Sequence, residues 1–239
     1  MSDARKHQKK LEKKAAKRKA HARQLAQRQN MSFSQRLGAA DRFPLVHCTV
    51  NKEALDKEGI GWVCVSRELP NGSIANALFL VDRYCLGVKD AIAQVISRFV
   101  YEDKVVRKLH RSGMMAAQTW DLAAARKLVE GAVAYAAQFG FKPHADYEEA
   151  LTVFGSADSA ACTETFEYGK DGKPFYISGP NDSLARIQQV SNALERQLGP
   201  GGYGSVAVLE ERGGRVGDMT AAADEVDQDD DAAPALPPQ

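Results

Sequence analysis

Residues 61–82 read GWVCVSRELPNGSIANALFLVD and decide the fold, because two β-rich runs flank a turn. The runs cover residues 61–68 and 73–82, and Pro70-Asn71-Gly72 lies between them. Asn and Gly tolerate the positive φ angles of tight hairpin turns, so the stretch predicts a β-hairpin. The second run is apolar on both of its faces, which predicts a central strand that is covered on both sides.

Apolar spacing predicts the elements on either side of this hairpin. Residues 44–50 form a candidate first strand, and Gly87 opens a predicted helix that buries Val88, Ile92 and Phe99. The other predicted elements are helices at 121–139 and 147–154, a second hairpin at 165–178, a helix at 183–198 and a last strand at 203–210. This order predicts an α+β fold in which two β-hairpins build a mixed or antiparallel sheet with packed helices.

Charge is segregated at the two ends of the chain. Residues 1–30 hold eleven Lys and Arg against two acids, a balance of +9, and residues 218–239 hold seven acids and no Lys or Arg. The first segment consists of good helix formers without an apolar stripe. We therefore predict a basic, helical arm and linker (residues 1–43), a single α+β domain (44–210) and a disordered acidic tail (211–239).

The basic arm is the strongest functional signal. Closely spaced cations neutralise phosphates and release counterions, which gives salt-sensitive binding that is indifferent to sequence. The expected partner is therefore RNA, including ribosomal RNA, or DNA; because the arm has no aromatic residue, base stacking is not expected. The residues expected to contact phosphates are Lys9, Lys10, Lys13, Lys14, Lys17, Arg18, Lys19 and Arg23.

Two alternative functions stay open. Asp82 ends a predicted strand and Asp90 lies in the following predicted helical turn, where metal-dependent hydrolases and nucleases place ligands. Two-metal chemistry needs further converging acids and none is obvious, so we predict no metal site, and a capping role for Asp82 is favoured. The third hypothesis is a structural adaptor whose charged arms bind other proteins.

Other chemistry is not indicated. Residues 178–183 (SGPNDS) lack the spacing of a phosphate-binding loop and predict a helix N-cap, and no cofactor motif is present. Four widely spaced cysteines form no CxxC pair. Without a long apolar run or an export signal, we expect a cytoplasmic protein with reduced thiols and no membrane partner.

Three stretches resemble a group of uncharacterised bacterial proteins. They are VDRYCLGVKDA at residues 81–91, GFKPHADYEEA at 140–150 and YGKDGKPFYISGPND at 168–182. The resemblance covers most of residues 44–198 and leaves out both charged ends. It implies a bacterial, cytoplasmic setting and transfers no catalytic residue to this chain.

Overall fold

A four-stranded antiparallel sheet forms the centre of the protein. The computed structural model describes residues 13–14, 16–19, 31–111, 119–179 and 181–206. The strands, in their order across the sheet, are β1 (Leu45–Val50), β2 (Ile60–Glu68), β3 (Ile74–Asp82) and β4 (Gly87–Ile96). Helices pack on this sheet, which confirms the α+β class and the antiparallel pairing. The acidic tail and residues 112–118 lie outside the described residues.

The helices are α1 (Phe33–Leu37), α2 (Lys52–Glu58), α3 (residues 98–111), α4 (Leu122–Ala137), α5 (Tyr147–Leu151) and α6 (Leu184–Leu198). Three of these helices lie where the sequence predicts them, at α4, α5 and α6, and the three others, α1 to α3, were not predicted. The middle of α3, Tyr101–Val106, has π-helical hydrogen bonding. The carboxylate of Asp121 caps α4 and the hydroxyl of Ser183 caps α6, so the helices predicted at these places are confirmed. Phe33 and Leu37 of α1 belong to the main core, so the packed body begins before residue 44.

The hairpin predicted at residues 61–82 is confirmed. Glu68 on β2 pairs with Ile74 on β3, and Gly72 has the positive φ of 79° that the turn requires. The strand β3 lies between β2 and β4, as its two apolar faces predict. On one face Phe79 packs in the main core beneath α4 and α5, and on the other Leu78 packs against α3.

The helix predicted to open at Gly87 is wrong, because Gly87–Ile96 is the strand β4. Ile92 and Ile96 are four residues apart, and this spacing places side chains on one face of either a helix or a strand. The free backbone edge of β3 decides between the two structures, since it needs a hydrogen-bonding partner. The strand β4 supplies that partner along the whole length of β3.

The second predicted hairpin is present only as a turn. Lys170 and Lys173 form an isolated bridge, and residues 162–168 are not a strand. Phe166 stacks on Trp120 instead, which holds this segment against the main core. The expected second strand is β5 (Phe175–Ile177), which pairs in parallel with β6 (Gly204–Val206). The strand predicted at residues 203–210 is therefore found at Gly204–Val206, and residues 207–210 lie outside the described residues.

A polar row crosses the face of the sheet that α3 covers. His47, Ser66, Asn76 and Gln94 are successive cross-strand neighbours on β1, β2, β3 and β4. The Ser66 hydroxyl donates to Asn76 Oδ1 at 2.8 Å, and Ser66 Oγ lies 2.8 Å from the Tyr101 hydroxyl. Because each hydroxyl has one proton, Tyr101 donates to Ser66 and accepts from His47 Nδ1 at 2.6 Å. This chain of hydrogen bonds joins three strands to α3.

Within the part of the chain that the structure describes, no helix combines the length and the apolar character that crossing a membrane requires.

The polar row predicts a coupled stability effect. Ser66 is fully buried, so Ser66→Ala leaves Asn76 and Tyr101 without a shared partner and should lower the free energy of unfolding by about 1–3 kcal/mol. Tyr101→Phe removes the same hydrogen bond from its other end. Urea denaturation of both single variants and the double variant should give a coupling energy of about 0.5 kcal/mol or more. Strictly additive losses would contradict the hydrogen-bond chain.

Candidate nucleic-acid interface

The basic arm exposes its cations where the structure describes it. Residues 13–14 and 16–19 are helical, and Lys13, Lys14, Lys17, Arg18 and Lys19 are all exposed. At 3.6 residues per turn, the first four of these side chains occupy one arc of roughly 140°. A nucleic-acid backbone that runs along this side of the helix can contact all four side chains. Three further predicted contacts, at positions 9, 10 and 23, lie outside the described residues.

Asp82 closes the turn between β3 and β4. Its side chain is 1% exposed, and Oδ1 accepts the backbone N–H groups of Tyr84 and Cys85, each at 3.0 Å. Burial raises the pKa of this carboxyl to about 6, although the Lys89 charge and the backbone N–H groups oppose that rise. The geometry is that of a turn cap, which is the role that the sequence favoured.

Asp90 has a different neighbour. It pairs with Leu80 across the sheet, and its Oδ1 lies 3.7 Å from Nε2 of His144. Among the described residues, the side chains of Asp82 and Asp90 share no hydrogen bond. The described residues also contain no group of three or more His, Cys, Asp or Glu side chains placed to hold a metal ion. The structure thus gives each carboxylate a separate structural partner.

Buried hydroxyl and thiol groups offer no accessible nucleophile in the polar row. Ser66 and Cys64 are both completely buried, and desolvation raises the pKa of the Cys64 thiol to about 12. A thiol with this pKa is almost entirely protonated at neutral pH. The row is therefore suited to joining the sheet to α3.

A cleft of about 560 Å³ lies between the start of β4, the loop after α4 and the outer face of α6. The cations on its walls are Lys89, Lys142, Arg186 and Arg196, and His144 adds an imidazole. On α6, residues 186, 189, 193 and 196 follow helical spacing and face the cleft together. We call this feature the basic cleft.

Two packing arrangements hold the walls of the basic cleft. The backbone N–H of His144 donates to the Val88 carbonyl at 3.0 Å, which ties the loop to β4. Val190 and Leu194 of α6 pack against Leu86 in the turn that Asp82 caps. Buried contacts beneath the cleft therefore hold the elements that carry its cations.

A bulge places Lys89 in the cleft. The β3–β4 pairing runs from Leu80–Asp90 to Val81–Val88, which leaves Lys89 without a partner strand residue. A β-bulge takes a side chain out of the regular alternation of the strand. Lys89 consequently reaches the cleft, and its Nζ lies 3.7 Å from where a Cβ on Gly179 would be.

The cations of the basic cleft have no carboxylate partners. Among the described residues, no Asp or Glu oxygen lies within 4.0 Å of the charged nitrogens of Lys89, Lys142, Arg186 or Arg196. Arg186 donates to the Gln189 side chain at 3.1 Å, and Arg196 donates to the Asn192 carbonyl at 3.1 Å. Four unpaired cations on a concave surface attract an anion more strongly than the same charges spread over a flat one.

Asp182 places one carboxylate in the lining of the basic cleft, and groups of its own loop and of β5 bind that carboxylate. Its Oδ2 accepts the Tyr176 hydroxyl and the Gly179 N–H, both at 2.8 Å. The carboxylate therefore occupies the backbone donor of the SGPNDS loop, while Ser183 caps the helix. The prediction of an N-cap at this loop is confirmed.

The cations of the basic cleft are scattered over residues 89–196, so no charge pattern in the sequence predicted the cleft. A charge pattern reveals only cations that are close in sequence. The helical spacing of residues 186, 189, 193 and 196 was a local signal, since these positions share an arc of about 80° on the helix surface. Lys89 and Lys142 gave no such signal.

Comparison with models of known families, with curated proteins and with solved structures finds no match to this chain.

The raised pKa of Asp82 predicts a pH-dependent difference between the wild type and Asp82→Asn. The carboxyl has a pKa of about 6 in the folded protein and about 3.9 in an unfolded chain. Between these values the folded state binds more protons, so this residue lowers the stability of the wild type as pH rises from about 4 to about 6. An Asn keeps an oxygen for the two N–H groups and has no proton to lose.

The free energy of unfolding of Asp82→Asn, relative to the wild type, should therefore rise by about 2 kcal/mol from pH 4 to pH 7. Denaturation curves at each pH measure this difference, and Asp171→Asn in an exposed turn is the control. A difference that does not change with pH would contradict the buried carboxyl. Mn²⁺ binding that calorimetry detects in the wild type and that Asp82→Asn abolishes would support the catalytic hypothesis instead.

Proposed function

We propose that this protein binds RNA or DNA through phosphate contacts made by the basic arm and the basic cleft. The observation that carries the proposal is the convergence of four cations, unpaired among the described residues, on one cleft. Lys and Arg provide most phosphate contacts in nucleic-acid complexes, and such contacts position the ligand without reading its sequence. The binding is therefore expected to depend strongly on salt and weakly on sequence.

The two surfaces have different roles in this proposal. The arm presents a row of exposed cations, such as Lys13 and Lys17, and its affinity grows with the number of phosphates it neutralises. The cleft lies on a packed framework, because Val190 and Leu194 fix the helix that carries Arg186. It therefore holds phosphates in a defined geometry. Together the two surfaces give a general affinity and a fixed orientation of the bound strand.

The proposed setting is a bacterial cytoplasm, including association with ribosomes. Two features support it. Cys48, Cys64, Cys85 and Cys162 are free, which fits a reducing compartment. The resemblance to bacterial proteins described above agrees with the same setting.

The salt dependence of binding tests the proposal. If about six phosphates are neutralised on duplex DNA, the slope of log K against log salt should be about −5. The double variant Arg186→Gln/Arg196→Gln should make the slope less negative by about 2 and weaken binding to unrelated sequences equally. Fluorescence anisotropy with two duplexes and one single-stranded RNA, at several salt concentrations, measures these slopes.

A matched control removes the same charge elsewhere on the body. Arg42 and Lys104 are exposed and lie outside the basic cleft. The double variant Arg42→Gln/Lys104→Gln should keep the wild-type slope. Equal losses in the cleft and control variants would refute a specific role for the cleft, and a slope near zero would refute phosphate binding altogether.

A further inference from the structure

The chain leaves the described body beside the basic cleft. Val206, the last residue of β6, accepts a hydrogen bond from the Ser178 N–H at 3.1 Å. Gly179, the residue after Ser178, faces Lys89 and Asp182 at the edge of the cleft. The acidic tail thus continues from a strand whose end lies within two residues of the cleft wall.

The acidic tail carries charge opposite to that of the cleft, whose lining holds four cations and the carboxylate of Asp182. Residues 218–231 hold Asp218, Asp224, Glu225, Asp227, Asp229, Asp230 and Asp231, and no Lys or Arg. Within the described residues, Lys89, Lys142, Arg186 and Arg196 form no ion pair, whereas the His144 imidazole lies 3.7 Å from Asp90. Seven carboxylates on one segment complement four unpaired cations in the way that charged interfaces require.

The length of the chain allows the contact. Asp218 is twelve residues beyond Val206, and twelve extended residues span at most about 40 Å. The helix α6, which carries Arg186 and Arg196, has fifteen residues and is therefore about 22 Å long. Every cation of the cleft consequently lies within reach of residues 218–231.

We propose that the acidic tail binds in the basic cleft of its own chain, where its carboxylates pair with Lys89, Lys142, Arg186 and Arg196. The covalent tether favours this occupant over free anions, because it holds the tail near the cleft at a local concentration on the order of 1 mM. Phosphates and tail carboxylates then compete for the same cations. With an intrinsic dissociation constant of about 0.1 mM for the tail, the competition weakens binding of a polyanion about tenfold.

The basic arm is the alternative binding site for the tail, because it is positively charged like the basic cleft. The arm continues into α1, where the Ser34 N–H contacts Glu149 at 3.3 Å, whereas β6 delivers the tail directly to the edge of the cleft. Proximity along the chain therefore favours the cleft. Zero-length crosslinking distinguishes these sites, because a carbodiimide joins a carboxylate only to an amine that it touches.

The crosslinking experiment uses the full-length protein, dilute and at low salt, without nucleic acid. Mass spectrometry of the monomer should show residues 218–231 joined to Lys89 or Lys142. These crosslinks should fall several-fold in Arg186→Gln/Arg196→Gln and be unchanged in Arg42→Gln/Lys104→Gln, and salt should suppress them. Tail crosslinks that avoid both cleft lysines, or that the cleft variant leaves unchanged, would overturn the proposal.

A second measurement tests the competition and rests on the proposed function, whereas the crosslinks do not. Replacing Asp224, Glu225, Asp227, Asp229, Asp230 and Asp231 with their amides keeps the full chain and removes six of the seven carboxylates of residues 218–231. Nucleic-acid affinity should rise about tenfold. The same replacement in the Arg186→Gln/Arg196→Gln background should raise affinity much less, and an equal rise in both backgrounds would place the tail elsewhere.

Discussion

Burial of both faces of β3 is the constraint on which the rest of the structure depends. Phe79 and Val81 point into the main core, while Ile74 and Leu78 point into the core beneath α3. Full burial of a side chain of this size stabilises the fold by about 1.5–3 kcal/mol. A strand with two apolar faces needs a helical layer on each side and a paired strand on each edge. These needs account for α3, for α4 with α5, and for β4.

The end of the same strand determines where the basic cleft lies. Asp82 closes the turn after β3, and Leu86 in that turn is the surface on which α6 packs. The bulge in the following strand places Lys89 beside the helix. A buried carboxylate with a raised pKa thus supports a cleft lined with cations, and its role in the proposed binding is indirect because it holds the turn beneath those cations.

The distribution of charge over the whole chain gives the proposed function its regulation. The chain as a whole has a formal charge of only +1, yet the arm and the cleft are positive and the tail is negative. In the proposed function, polyanions and the acidic segment of the same chain compete for the same cations. Because the proposed contacts are electrostatic and exposed, salt should weaken them: at about 0.1 M, charges more than about 10 Å apart are largely screened from each other.

The sequence by itself determined the elements whose signals are local. These are the Asn71-Gly72 hairpin, the apolar periodicity of α4, the Ser183 cap and the charge of the two ends, because each depends on residues within a few positions of one another. Tertiary structure alone decided that Gly87–Ile96 is a strand, since the spacing of its apolar residues fits both periods and the edge of β3 selected one. It alone brought Lys89 and Arg186 together, because packing joins residues that are ninety-seven positions apart in the chain.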